Sequence, residues 1–145
     1  MWTFPNDDIP QTMIEVSCAI IVEKGRVLAT QRSMNMPHPL KWEFPGGKLK
    51  QGESHGECIV REIREELGLE VNPGKVLSPV IHHYEEQSVQ LIPVVCTIIE
   101  GVITLSEHQA YQWVACEALE NMDWLEADLG VVALIRMLLC SGSDQ

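Results

Sequence analysis

The segment 54–70, SHGECIVREIREELGLE, constrains the fold most, because it specifies a helix, both of its ends and the face it must bury. Ser54 followed three residues on by Glu57 has the spacing of a capping box, in which side chain and backbone satisfy each other's unpaired donors. Gly68 is placed to end the helix in the left-handed conformation that a Cβ disfavours. The predicted helix is about fourteen residues long. Within it Ile59, Ile63 and Leu67 recur on one face, which needs another layer to cover it. Glu62, Glu65 and Glu66 crowd the border of that face. Like charges at such spacings cost roughly 0.2–0.5 kcal/mol per pair in an isolated helix, a penalty that a bound cation reverses. Read alone, the segment is better taken as a solvated face laced with pairs such as Arg61–Glu65, since charge-rich helices are common.

The rest of the chain supplies strands. After an irregular lead-in over 1–13, a single domain is expected over 14–145. IEVSCAIIVEKGRVLATQR reads as a hairpin turning near Lys24 and Gly25. MNMPHPLKWEFPGGKLKQGES is too long for a mere connection and is a candidate functional loop. GKVLSPVIHHYEE and SVQLIPVVCTIIEG form a second hairpin-like pair, and AYQWVAC a further strand. A closing helix is expected over Ala127–Cys140, with Val131, Leu134, Ile135 and Leu138 on one face. His82 and His83, adjacent on a strand, point to opposite faces and should not share a metal. The class is α+β, a mixed β-sheet sandwiched between helices as an α/β/α sandwich.

The formal charge of −11 argues against a long nucleic acid, which calls for a basic stripe. An acidic chain that handles phosphate needs cations between the two negative partners. The five cysteines are widely spaced, odd in number and without a CxxC pair, which favours reduced thiols and a cytoplasmic setting. No apolar run reaches the roughly 18–20 residues of a membrane span, and MWTFPNDDIP lacks the pattern of a signal peptide.

The helix glutamates belong to a longer pattern. Gly47 is followed after five residues by Glu53, and after seven more by Arg61-Glu62-Ile63-Arg64-Glu65-Glu66-Leu67-Gly68-Leu69. This matches G-x5-E-x7-R-E-U-x-E-E-x-G-U, with U aliphatic, at every defined position, and the chain therefore resembles the Nudix hydrolases. The resemblance implies the Nudix fold and a loop–helix–loop that binds divalent metal and cleaves a nucleoside diphosphate linked to another group. It carries over Glu62, Glu65 and Glu66 as the metal-binding core, and Glu53 as a supporting acid. Oxygen ligands on one helical face suit Mg²⁺ or Mn²⁺, which bridge to phosphates and lower the pKa of a coordinated water. Gly46 and Gly47 let the backbone approach ions and polyphosphate, and Lys48 could meet a phosphate. Arg61 could orient a ligand carboxylate or form an ordinary surface pair. The general base is open, with Glu65 in the box and Glu107 outside it as candidates.

AIIVEKGRVLATQR, KWEFPGGKLKQGES and SEHQAYQWV extend the resemblance to MutT-type nucleoside triphosphate pyrophosphohydrolases over roughly residues 14–140. That pattern implies Phe44 near the base, Arg32 near the phosphates, and Glu107 in a loop that approaches the metals. Bland alternatives are a core Phe44, a surface Arg32 and a solvated Glu107. Where relatives that recognise oxidised guanine place an asparagine, this chain has Asp128. An ionised aspartate accepts only, favouring cytosine's exocyclic amine or guanine's N–H edge; helix capping is the alternative. The expected partner is a small nucleotide substrate, with no long nucleic acid or membrane, and the protein is expected to be a monomer or homodimer. Other readings are hydrolysis of a nucleotide-sugar, ADP-ribose or dinucleoside polyphosphate, and a non-catalytic nucleotide-binding domain.

Overall fold

The computed structural model describes residues 13–85 and 87–140. Eight strands and two α-helices follow the chain as β1 (Met13–Glu23), β2 (Arg26–Gln31), β3 (Trp42–Glu43), β4 (Gly46–Lys48), α1 (His55–Leu67), β5 (Glu70–Val76), β6 (Val80–His83), β7 (Ser88–Glu100), β8 (Ala110–Ala115) and α2 (Leu129–Ile135). β1 is buried continuously from Val16 to Ile21. Such a run marks a central strand covered on both faces. Val16, Cys18 and Ile20 join one apolar cluster with Phe44, Trp124 and the α2 residues Val131, Val132 and Ile135. Ala19 and Ile21 join the other with Ile59, Ile63 and Leu67 of α1. Each of those fully buried α1 side chains contributes roughly 1.5–3 kcal/mol. The expected mixed sheet between helices is therefore the architecture found.

β1 runs parallel to β7, from Met13 opposite Ser88 to Ile21 opposite Cys96. It also pairs antiparallel with β4, setting Ser17 opposite Gly47 and Cys18 opposite Gly46. This pairing draws the glycine loop onto the sheet beside α1. The β1–β2 turn forms as expected, with Lys24 at φ 53° and Gly25 at φ 76°, both left-handed as a two-residue hairpin requires.

Three expectations change. GKVLSPVIHHYEE, expected as one arm of a hairpin, is divided between two strands: β5 ends at Val76 and β6 starts at Val80, both pair with β7, and the chain breaks at Leu77–Pro79, where Pro79 has no N–H to give a ladder. The closing helix is shorter: a single turn at Glu126–Asp128 precedes α2, and Arg136–Cys140 winds more widely. The wider turn rotates the face beyond Ile135, so Leu138 is 47% exposed while Cys140 turns inward. Reduced thiols are found for Cys18, Cys58 and Cys96, but Cys116 and Cys140 form a disulfide with Cα atoms 5.8 Å apart. Their separation of 24 residues carries no local signature; packing of the terminal turns against the segment after β8 creates the pair. Of the lead-in, Met13 already belongs to β1, and the preceding residues lie outside those described. Among the described residues, no helix is long and apolar enough to cross a membrane.

Candidate active site

Both ends of α1 are built as expected. Glu57 N donates to Ser54 Oγ at 3.1 Å, and Ser54 N to Glu57 Oε1 at 2.9 Å. Gly68 closes the helix at φ 68° with its N–H on Arg64 O. These caps fix the helix ends, and the packing of Ile59, Ile63 and Leu67 against Ala19, Ile21 and Val94 of the sheet sets which way the glutamates face.

Arg61 ties the box together. Its Nε and Nη2 donate to the two oxygens of Glu53 at 2.6 and 2.9 Å, and its Nη1 to Glu62 Oε2 at 2.8 Å. Nη2 also reaches Lys48 O at 3.2 Å, and Nη1 reaches Glu65 Oε1 at 3.4 Å. Hydrogen bonds from Arg61, then the Lys50 backbone, lower the Glu53 carboxyl to about 2. Arg61 thus clamps the loop 48–53 onto α1 and engages more acids than an ordinary surface pair would. Gly47 lies against Glu62: a Cβ there would meet the carboxylate at 2.5–2.7 Å.

The three helix glutamates are unequal. Glu65 has a side chain 57% exposed, whereas that of Glu62 is 12% exposed. Glu66 Oε1 is sequestered from solvent and has no hydrogen-bond partner. Burial first, then the hydrogen bond and charge of Glu62 and the charge of Glu43, push the Glu66 carboxyl well above the usual range. Among the described residues, no three acids, histidines or cysteines are already gathered in metal-holding geometry. Arg61 supplies the positive charge between Glu53, Glu62 and Glu65. The donor set nonetheless fits a hard divalent cation: it is all oxygen, and the partnerless Glu66 Oε1 beside Glu62 gains a partner when one binds.

From Glu66 a cleft runs past Gly46 and Glu107 to Arg32, Met36, Phe44 and Asp128. At that far end Asp128, 4% exposed, accepts from the Phe44 N–H at 2.9 Å. It makes no capping bond to α2, so the carboxyl serves the cleft wall and not the helix end. Burial and the Glu43 charge push it well above the usual range, against the opposing pull of the Phe44 N–H and Arg32. The Phe44 ring stacks on Trp124 with centroids 4.6 Å apart, so it is both core and cleft wall. Arg32, 3% exposed, is no surface charge. It donates to Glu43 Oε1 at 2.7 Å and to Pro37 O at 2.8 Å.

The structure thus gathers Arg32, Phe44, Gly46, Glu66, Glu107 and Asp128 around one cleft, with Glu107 exposed at its rim. Glu53, Arg61, Glu62, Glu65, Gly47 and the exposed Lys48 side chain do not line it; Glu62 lies beside Glu66, Gly47 lies against Glu62, and Arg61 joins Glu62 to Glu53 and Glu65. Sequence reasoning missed Glu43 and His108, which also line the cleft and lie 2.8 Å apart. The available signals were an acid between Trp42 and Phe44 just before the glycines, and a histidine next to the chosen Glu107.

Comparison with known proteins bears on this arrangement. The NUDIX domain family matches residues 11–134. A CTP pyrophosphohydrolase of Escherichia coli K12 is 36% identical over 129 residues, covering 87% of this chain and 93% of that protein. An 8-oxo-dGTP diphosphatase of the same strain is 26% identical over 116 residues, covering 80% of this chain and 90% of that one. The crystal structure of a MutT protein from Methanosarcina mazei Go1 superposes with a TM-score of 0.78 at 30% identity, covering 89% of this chain and 96% of the other. With the box intact on α1 and the domain match spanning nearly all the described residues, the chain belongs to the Nudix family and is a Nudix hydrolase.

Proposed function

We propose that the protein hydrolyses a nucleoside triphosphate to the monophosphate and pyrophosphate, using Mg²⁺ or Mn²⁺, and so cleans or regulates a nucleotide pool. The observation that carries this reading is one cleft with two chemically different ends. One holds the partnerless Glu66 oxygen, and the other the Asp128 carboxyl beside the Phe44–Trp124 stack. A phosphate-handling end joined to an aromatic, hydrogen-bonding end matches a nucleotide in polarity. The names of the relatives, which act on CTP or 8-oxo-dGTP, agree with it.

In this reading Glu62, Glu65 and Glu66, with the backbone at Gly46, hold the cation, and Arg61 with Glu53 orients them. The bound cation would neutralise phosphate oxygens and supply a hydroxide-like water near neutral pH. Glu107 at the cleft rim, or exposed Glu65, takes the proton from the attacking water. Gly47 leaves room for the Glu62 carboxylate beside Glu66, and Arg32 offers the nucleotide positive charge from the cleft wall, with exposed Lys48 outside it. Phe44 and Asp128 meet the base. Because its surroundings hold Asp128 up, its carboxyl can carry a proton and donate as well as accept. That widens the acceptable base edges beyond those expected for an ionised side chain.

The test is turnover of a panel of triphosphates with Mg²⁺ by the wild type and by Glu65→Gln. Pyrophosphate should be released by the wild type and turnover abolished in the variant, whose stability should change by no more than about 0.5 kcal/mol at so exposed a position. Equal turnover by the two proteins would reject the metal assignment. Release of two phosphorylated fragments from a bridged dinucleotide or nucleotide-sugar, with no triphosphate cleaved, would move the substrate class.

A further inference from the structure

A second charged network lines the cleft without any part in the helix motif. Its centre is Glu43, both of whose carboxylate oxygens are engaged: Oε1 accepts from Arg32 Nη1 at 2.7 Å, and Oε2 lies 2.8 Å from His108 Nε2. The Arg32, Glu43 and His108 side chains are 4%, 15% and 4% exposed. They come from the end of β2, from β3 and from the turn before β8, so nothing local brings them together. Glu43 also stands in an acidic neighbourhood, since its charge acts on both Asp128 and Glu66. A carboxylate so placed is repelled toward other rotamers unless donors fix both oxygens. Arg32 fixes one, and His108 fixes the other. The imidazole itself makes no second hydrogen bond, because its Nδ1 is buried without a partner. The ring is therefore held in the network through Nε2 and Glu43.

We infer that His108 is a positioning residue: it locks the Glu43 carboxylate, which in turn holds the Arg32 guanidinium in the cleft for the nucleotide. This rests on the proposed reading of the cleft as a nucleotide site. The reacting phosphate lies with the glutamates of α1, so loss of the lock should weaken binding and leave the chemical step alone.

The probe is the α,β-methylene analogue of the triphosphate turned over fastest, or that of CTP if none is turned over, so that binding is read without hydrolysis. Analogue binding with no pyrophosphate released from any triphosphate would remove the hydrolase reading and leave this one standing. His108→Phe keeps a flat ring without a donor and should raise Kd and KM about tenfold with kcat within about twofold, the loss expected of a charge-assisted hydrogen bond acting on ground-state binding. His108→Gln extends an N–H toward Glu43 and should restore binding, whereas the shorter His108→Asn should not. In a Glu43→Gln background, His108→Phe should add nothing, because residues acting through one another are not additive. Unchanged affinity in folded His108→Phe, no rescue by Gln, or additive effects with Glu43→Gln would overturn the inference. So would failure of all three His108 variants to fold, which would make the residue structural only.

Discussion

The adjacent glycines of the box should respond oppositely to the same added methyl group. In Gly46→Ala the new Cβ would sit 2.0 Å from Ser17 O and 2.8 Å from Cys18 Cα, both backbone atoms of the central strand. Neither can yield without parting β4 from β1, whose pairing brings Gly46 opposite Cys18. Ala19 N also donates to Pro45 O at 2.7 Å there. The cost should be about 3 kcal/mol or more, the upper end of overpacking penalties. In Gly47→Ala the Cβ would first meet the Glu62 carboxylate, at 2.5–2.7 Å. That is the far end of a flexible side chain, which can swing away, so the stability loss should stay below about 1 kcal/mol. The displaced carboxylate leaves Arg61 and Glu66, and turnover should fall about 10- to 100-fold, as when a group that orients metal ligands is lost. Urea unfolding and pyrophosphate release measure the two effects. A stable Gly46→Ala, or a Gly47→Ala with wild-type turnover, would refute the reasoning.

Arg61→Met should destabilise the protein most above pH about 4.5. Glu53, lowered to about 2 by Arg61, contributes stability that is complete above its unfolded value of 4.5 and lost as pH falls through 2. The gap between the two urea-unfolding curves should therefore narrow across that window. Glu66 is raised by burial, so it favours folding at low pH and costs stability as pH rises through its folded value. Since a cation would replace that proton, Mg²⁺ should stabilise the wild type more at higher pH, by about 2.7 kcal/mol at a hundredfold excess over Kd. Calorimetry should find Glu66→Gln more stable without Mg²⁺ and unresponsive to it. Titration of unfolded, unreduced protein should count three thiols and, after reduction, five, because Cys116 and Cys140 are paired.

What the sequence by itself determined is whatever depends on neighbours along the chain. The capping box at Ser54 and Glu57, the glycine stop at Gly68 and the apolar spacing of Ile59, Ile63 and Leu67 are local, so α1 and its motif were legible to within a residue. The turn at Lys24–Gly25 was legible for the same reason. Tertiary structure alone decided which glutamate is sequestered: Glu65 and Glu66 are adjacent in sequence, but the sheet and the turn that sets Ser106 N on Glu66 O cover only the second. It also decided that Asp128 binds the Phe44 N–H, 84 positions away, that Cys140 reaches Cys116, and that Glu43 joins Arg32 to His108. Burial and charge pairing depend on what packs from distant parts of the chain, and no spacing rule along the sequence carries that information.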